Sequence, residues 1–207
     1  GWGQKPINEL AIPGSIRDII RARIERLPDE ARALLSAAAV VGQRVAFDLL
    51  CAVTETDELV LARQLQICID EQLVVEVADA REGVYAFRHA LTRDVVYEDL
   101  LLPVRRRLHL RIAQHLAADP DTAAALVAPH WRAGGDNARA AMAFESAAQQ
   151  ALAIHAMTQA VAHLEAAITA RGDATVDHYF GLARAYLALD HRKARDAAER
   201  ALALLGE

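Results

Sequence analysis

The sequence predicts a mainly α-helical chain with a single β-hairpin. Apolar residues recur at helical spacing through most of the 207 residues. The pattern breaks once, at two short β-prone runs between positions 73 and 88. Towards the C-terminus a helical segment repeats itself at an offset of 34 residues.

Residues 1 to 12 read as a linker or an expression remnant. Ser15 is placed to cap a first helix, with Asp18 three positions on as an imperfect capping box. Its predicted buried stripe is Ile16, Ile19, Ile20, Ile24 and Leu27, with Arg17, Arg21 and Glu25 off the stripe. Pro28 interrupts, and Asp29 to Val41 read as a second helix, buried on most sides and stopped by Gly42. Phe47 to Val53 form a short third helix. Thr56 is the expected cap of a fourth, with Leu61, Leu65, Cys68 and Ile69 on one face. LVVEV (73–77) and VYAFR (84–88) then flank the polar connection ADAREG, a hairpin signal. His89 to Leu102 is expected as one helical segment, and Pro103 as the start of another that ends before Asp119-Pro120. Val104, Leu108, Ile112 and Leu116 make the predicted apolar stripe of that helix.

The remainder reads as helical hairpins. AVAHLEAAITA, from Ala160, aligns with ARDAAERALAL, from Ala194, so that Ala160, Glu165 and Ala167 match Ala194, Glu199 and Ala201. Tyr179, Leu182, Ala183 and Tyr186 supply the partner helix. Of the 45 alanines, 31 fall at or after Ala113, which favours close helix–helix approach there. Three short helices followed by a hairpin predict a winged-helix-like domain over 13–118. The 34-residue period predicts tetratricopeptide-like antiparallel helix pairs over 119–207. The chain begins at Gly1 rather than Met, and the array ends at Glu207 without a polar cap, so a segment cut from a longer protein is expected.

Composition narrows the function. A net charge of -5 and a pI near 5.9 oppose duplex DNA binding by the chain as a whole. No stretch approaches a membrane span, and no signal peptide is expected. Cys51 and Cys68 sit among apolar residues and are expected as free thiols in a reducing, cytoplasmic compartment. The eight histidines form neither H-x-x-x-H nor H-E-x-x-H, and no C-x-x-C occurs, so no metal is expected. Ser15 and Ser36 lie outside any G-x-S-x-G, and Glu98 and Asp99 are adjacent, so they point in different directions on a helix. No catalytic residue is assigned. Trp131 is expected to anchor the first repeat helices, and Tyr179 and Tyr186 to pack within a repeat.

IPGSIRDIIRARIERLPDEARALLSAAAVVGQRVAFDLLCAV (12–53) and YAFRHALTRDVVYEDLLLPVRRRLHLRIAQHL (85–116) resemble a known family. They are similar to the segment that follows the nucleotide-binding domain in bacterial signal-transduction ATPases with numerous domains. That group includes large LuxR-type transcriptional regulators and ATPase-linked nucleotide cyclases. The resemblance implies a parent protein with an ATP-binding module upstream, to which ATP or ADP would bind, and a repeat array receiving a protein or small-molecule inducer. This chain has no G-x-x-x-x-G-K-[ST], so no cofactor and no hydrolysis are assigned to it.

The resemblance also draws attention to Arg88 and His89. In related nucleotide-switch ATPases a Met-His-Asp histidine at the matching position contacts the ADP phosphates. Here Arg88 stands for Met and Ala90 for Asp. The alternative is a histidine hydrogen-bonded within the hairpin-helix corner. A basic run, Arg105, Arg106, Arg107 and Arg111 with His109 and His115, is read as a solvated face opposite the Val104 stripe, paired with Glu98 and Asp99. A nucleic-acid or phosphate surface is its functional alternative. The function expected is a non-catalytic regulatory and interaction module of a signalling ATPase, most naturally a transcriptional regulator. The alternatives are a DNA-binding winged helix with a helical dimerisation tail, or the regulatory region of an ATPase-linked adenylate or guanylate cyclase.

Overall fold

A computed structural model describes residues 14–78 and 83–206. The linker at 1–12, the capping side chain of Ser15 and most of the hairpin connection lie outside them. The described residues form eleven helices and one three-stranded antiparallel sheet, so the chain is mainly helical. It divides into two compact units at Arg105/Arg106, inside a helix, whereas the sequence reading set its boundary at 118/119.

The first unit contains α1 (Gly14–Glu25), α2 (Asp29–Val41), β1 (Arg44–Ala46), α3 (Phe47–Thr54), α4 (Glu58–Asp70), β2 (Val74–Glu76), β3 (Val84–Phe87) and α5 (Ala90–Asp99). Helix α2 is its centre. Asp29 and Glu30 sit where the helix dipole favours anions, and Leu34, Leu35 and Ala37 to Val40 are all buried. Gly42 closes α2 at φ 150 and ψ -163, a backbone region in which a Cβ is strained, and its N–H donates to Ala38 O at 3.0 Å. That turn starts β1, a strand the sequence reading did not anticipate. Three residues are too few to show alternation, yet Val45 is buried between exposed Arg44 and Ala46. β3 is the central strand, pairing Val45 with Tyr85 on one side and Val75 with Ala86 on the other. The expected hairpin is therefore part of a larger sheet.

The cap of α4 lies one residue later than predicted. Asp57, not Thr56, accepts the N–H groups of Leu59 and Val60, at 2.9 and 3.4 Å. A carboxylate outcompetes a hydroxyl at a helix start because it adds charge to the hydrogen bond. The α1 stripe is narrower than predicted. Ile20 and Leu27 are buried, whereas Ile16 and Ile19 are exposed. Arg17 and Arg21, expected to point into solvent, reach α5 instead.

The segment after the hairpin is two helices. α5 stops at Asp99, Leu100 is extended, and α6 (Leu102–Ala118) begins one residue before Pro103. Proline cannot donate to a continuing helix. The second unit takes in most of α6 together with α7 (Ala124–Gly134), α8 (Asn137–Ala153), α9 (Met157–Arg171), α10 (Val176–Tyr186) and α11 (His191–Leu205). Met157 and His191 begin α9 and α11, and Arg171 and Leu205 end them, 34 positions apart in both cases. Ala160, Ala167, Ala194 and Ala201 are all buried. Trp131 packs with Phe144, Val127 and a set of alanines that includes Ala167. Tyr179 and Tyr186 lie half-buried against Leu164, Leu182 and Ala197.

Candidate functional site

Strand β3 delivers Arg88 and His89 to the start of α5. Arg88 N–H donates to Leu73 O at 3.0 Å, the last backbone bond tying the strand to the segment before β2. His89 then turns extended, at φ -135 and ψ 135, and its carbonyl receives Thr92 N–H at 3.0 Å. Its imidazole does not cap the helix. Both side chains are exposed, and neither is bonded to another described residue. The corner hydrogen bond weighed for His89 is thus absent among the described residues. What remains is an exposed imidazole at the head of a helix whose first amides face outward.

The basic run is not one surface. Arg105 is half-buried, with its guanidinium 4.8 Å from the Tyr97 ring centroid and a 3.4 Å bond to Leu100 O. Arg93 approaches the same ring at 5.1 Å, so two cations use one aromatic. Arg111 is half-buried, while Arg106, Arg107 and His115 are exposed. The expected pairing with Glu98 and Asp99 gives way to another. Glu98 holds Arg17, and Asp99 holds Arg21 in a fork at 2.8 and 2.9 Å. Those carboxylates therefore fasten α1 to α5.

His109 belongs to the interior rather than to the basic face. It is buried, with Ile112 and Ala113, because the covered arc of α6 is wider than the predicted stripe; Val104 at its start is exposed. Its Nδ1 lies 2.9 Å from His130 Nδ1 on α7, and only one of the two can carry the proton between them. Burial pushes the His130 pKa down. A second buried histidine, His178, completes a capping box with Thr175. Thr175 N–H donates to Nδ1 at 3.0 Å, which leaves Nε2–H to donate to Glu145 at 3.0 Å. Histidine here fills the place that glutamate or glutamine usually takes, so the sequence signature did not register.

Within the second unit, α9, α10 and α11 enclose an open cleft of about 400 Å³, with Glu165, Tyr179, Tyr186, Lys193 and Arg200 on its walls. Tyr186 donates to Glu165 at 3.1 Å, and burial followed by that bond raises its pKa. Lys193 lies 5.4 Å from the Tyr186 ring and Arg200 lies 5.9 Å from that of Tyr179. Asp196 also lines the cleft, so two carboxylates balance its two cations, and the aromatic walls suit an aromatic ligand. Both thiols are free; burial pushes Cys68 up to about 12. Among the described residues no three metal-ligating side chains converge. Among the described residues no helix is long and apolar enough to cross a membrane. Comparison with protein-family models, with curated proteins and with solved structures finds no match.

Proposed function

We propose that this chain is a non-catalytic regulatory and interaction module of a multidomain signal-transduction ATPase that controls transcription. One observation carries the reading. The order α2-β1-α3-α4-β2-β3, with β3 between β1 and β2, supports the winged-helix reading of the first unit. The sequence resemblance sets such a domain directly after a nucleotide-binding module. The equal spacing and length of α9 and α11 support a tetratricopeptide-like array after it in the chain, whose cleft would receive the inducer. ATP and ADP would be bound by the parent's upstream domain, with exposed His89 as a donor to ADP phosphate in the closed state.

A direct DNA-reading role is less favoured on charge. In a winged helix the helix before the hairpin enters the major groove, here α4. Its sequence ELVLARQLQICID carries Arg63 against Glu58 and Asp70, and Asp57 caps it. Phosphate contact needs the opposite balance. A filter-binding assay on random duplex at low salt tests this, and the present reading expects no retention.

The decisive substitution is His89→Ala. In the full-length ATPase it should speed ADP release and raise basal output, by removing a contact specific to the closed state. In the chain alone it should shift stability by less than about 0.5 kcal/mol, as at any exposed position without partners. A large loss of stability in the chain, with ADP retention unchanged in the parent, would show a structural corner residue and overturn the assignment.

A further inference from the structure

Two exposed surfaces of this chain are complementary in charge, and each has apolar side chains that its charges do not explain. At the α3–α4 corner an open cleft of about 590 Å³ is lined by Asp48, Cys51, Thr56, Asp57, Glu58 and Leu59. Leu59 is 73% exposed and its neighbour Val60 is 43% exposed. Asp48 and Glu58 are exposed and make no ion pair with a described residue. Their fields converge on the cleft. The Cys51 thiol is pushed up first by burial and then by Glu58, Asp48 and Asp57. Arg63, one turn beyond Leu59, is the neighbouring cation.

The counterpart is the start of α6. Leu102 is 52% exposed and Val104 44% exposed, with Leu101 before them at 73%. Arg106 and Arg107 are exposed and make no ion pair with a described residue. Leu102 and Arg106 are four apart on the helix, and Val104 and Arg107 three apart, so each apolar side chain adjoins a guanidinium.

We propose that the acidic α3–α4 corner of one copy docks on the basic start of α6 in a second copy. Both halves of the pair are present in one chain, and both are exposed. The contact either pairs reciprocally across a two-fold axis, corner on α6 and α6 on corner, or repeats head-to-tail from copy to copy. Its few residues on each side place it among weak, transient interfaces, and its ion pairs are screened by salt. This inference is independent of the ATPase reading, since it concerns the chain's own association and not nucleotide.

The test is sedimentation velocity on nuclease-treated chain across a concentration series, at roughly 50 mM and roughly 500 mM salt. Reversible association that weakens at least tenfold at the higher salt is expected. Glu58→Arg and Arg106→Glu should each weaken association by about tenfold at low salt. An equimolar mixture of the two variants should recover it, because Arg106 of one then meets Glu58 of the other. If Glu58→Arg alters the melting curve, Asp48→Arg replaces it in the same scheme. Four outcomes overturn the proposal: a monomer at every concentration, variants that associate like wild type, a mixture that does not recover, or association that requires added nucleic acid.

Discussion

Gly134 of α7 lies against Leu110 of α6, and replacing it with alanine tests how closely the helices are packed there. A Cβ built on Gly134 would lie 2.7 Å from Leu110 Cδ2, 2.8 Å from Cγ and 3.3 Å from the Leu110 backbone nitrogen. Comfortable carbon–carbon separation is about 3.5–4.0 Å, so the new methyl overlaps the leucine by nearly 1 Å. A rotamer change can move Cδ2. It cannot move the backbone nitrogen, and it moves Cγ little, so α7 must retreat from α6. Overpacking of this kind costs about 1–3 kcal/mol. Against it, alanine is the better helix former by about 1 kcal/mol in a helix interior, less in the last turn where Gly134 sits. The net expectation for Gly134→Ala is a loss of about 1–2 kcal/mol. Trp131, three residues away in the same core, reports it by fluorescence during urea unfolding in a Trp2→Phe background. Leu110→Ala should relieve the clash, so the double variant should show favourable coupling of at least about 1 kcal/mol. A Gly134→Ala chain as stable as wild type would refute the close approach.

Asp57→Ala should cost about 1 kcal/mol by thermal melting, because two α4 amides lose their acceptor, whereas Thr56→Ala should change little. Ala167→Leu should cost about 1–3 kcal/mol, since Ala167 is fully buried beside Trp131 and Phe144; an unchanged denaturant midpoint would count against that packing. Cys68 gives the chain an alkaline limb. Its thiol stays neutral in the folded chain to about 12 but ionises near 9 once unfolded, so its contribution is complete below pH 9 and fades as pH rises towards 12. Between pH 8 and pH 10 that loss is about 1.4 kcal/mol. Cys68→Ala should flatten the slope by this amount, and equal slopes in the two proteins would refute it.

Helix bounds were the most legible feature of the sequence. Asp29–Val41 was read to the residue, because Pro28 and Gly42 punctuate a run of alanines and leucines with acids at its start. The 34-residue offset, read from a handful of alanines, matches the bounds of α9 and α11. Short-range chemistry was less legible. Thr56 and Asp57 are both acceptable caps, and only the position of the first helical turn chooses between them. β1 was invisible because its partner β3 lies some forty residues away, and three residues carry no period.

What local pattern cannot supply is the partner of a charge. Glu98 and Asp99 sit next to the arginines of α6 in sequence, and proximity along the chain suggested that pairing. The fold instead brings Arg17 to Glu98 and Arg21 to Asp99, across about eighty residues. The consequence reaches beyond that corner. An arginine with a carboxylate in its own molecule is spent structurally, whereas one whose expected partner has been taken elsewhere stays available. Arg106 and Arg107 are in the second position, and Asp48 and Glu58 make no ion pair with a described residue on their own surface. A net charge of -5 averages over both and hides them. For this chain the informative electrostatic quantity is therefore where the exposed charges without partners cluster, and the clusters at the α3–α4 corner and at the start of α6 are opposite in sign.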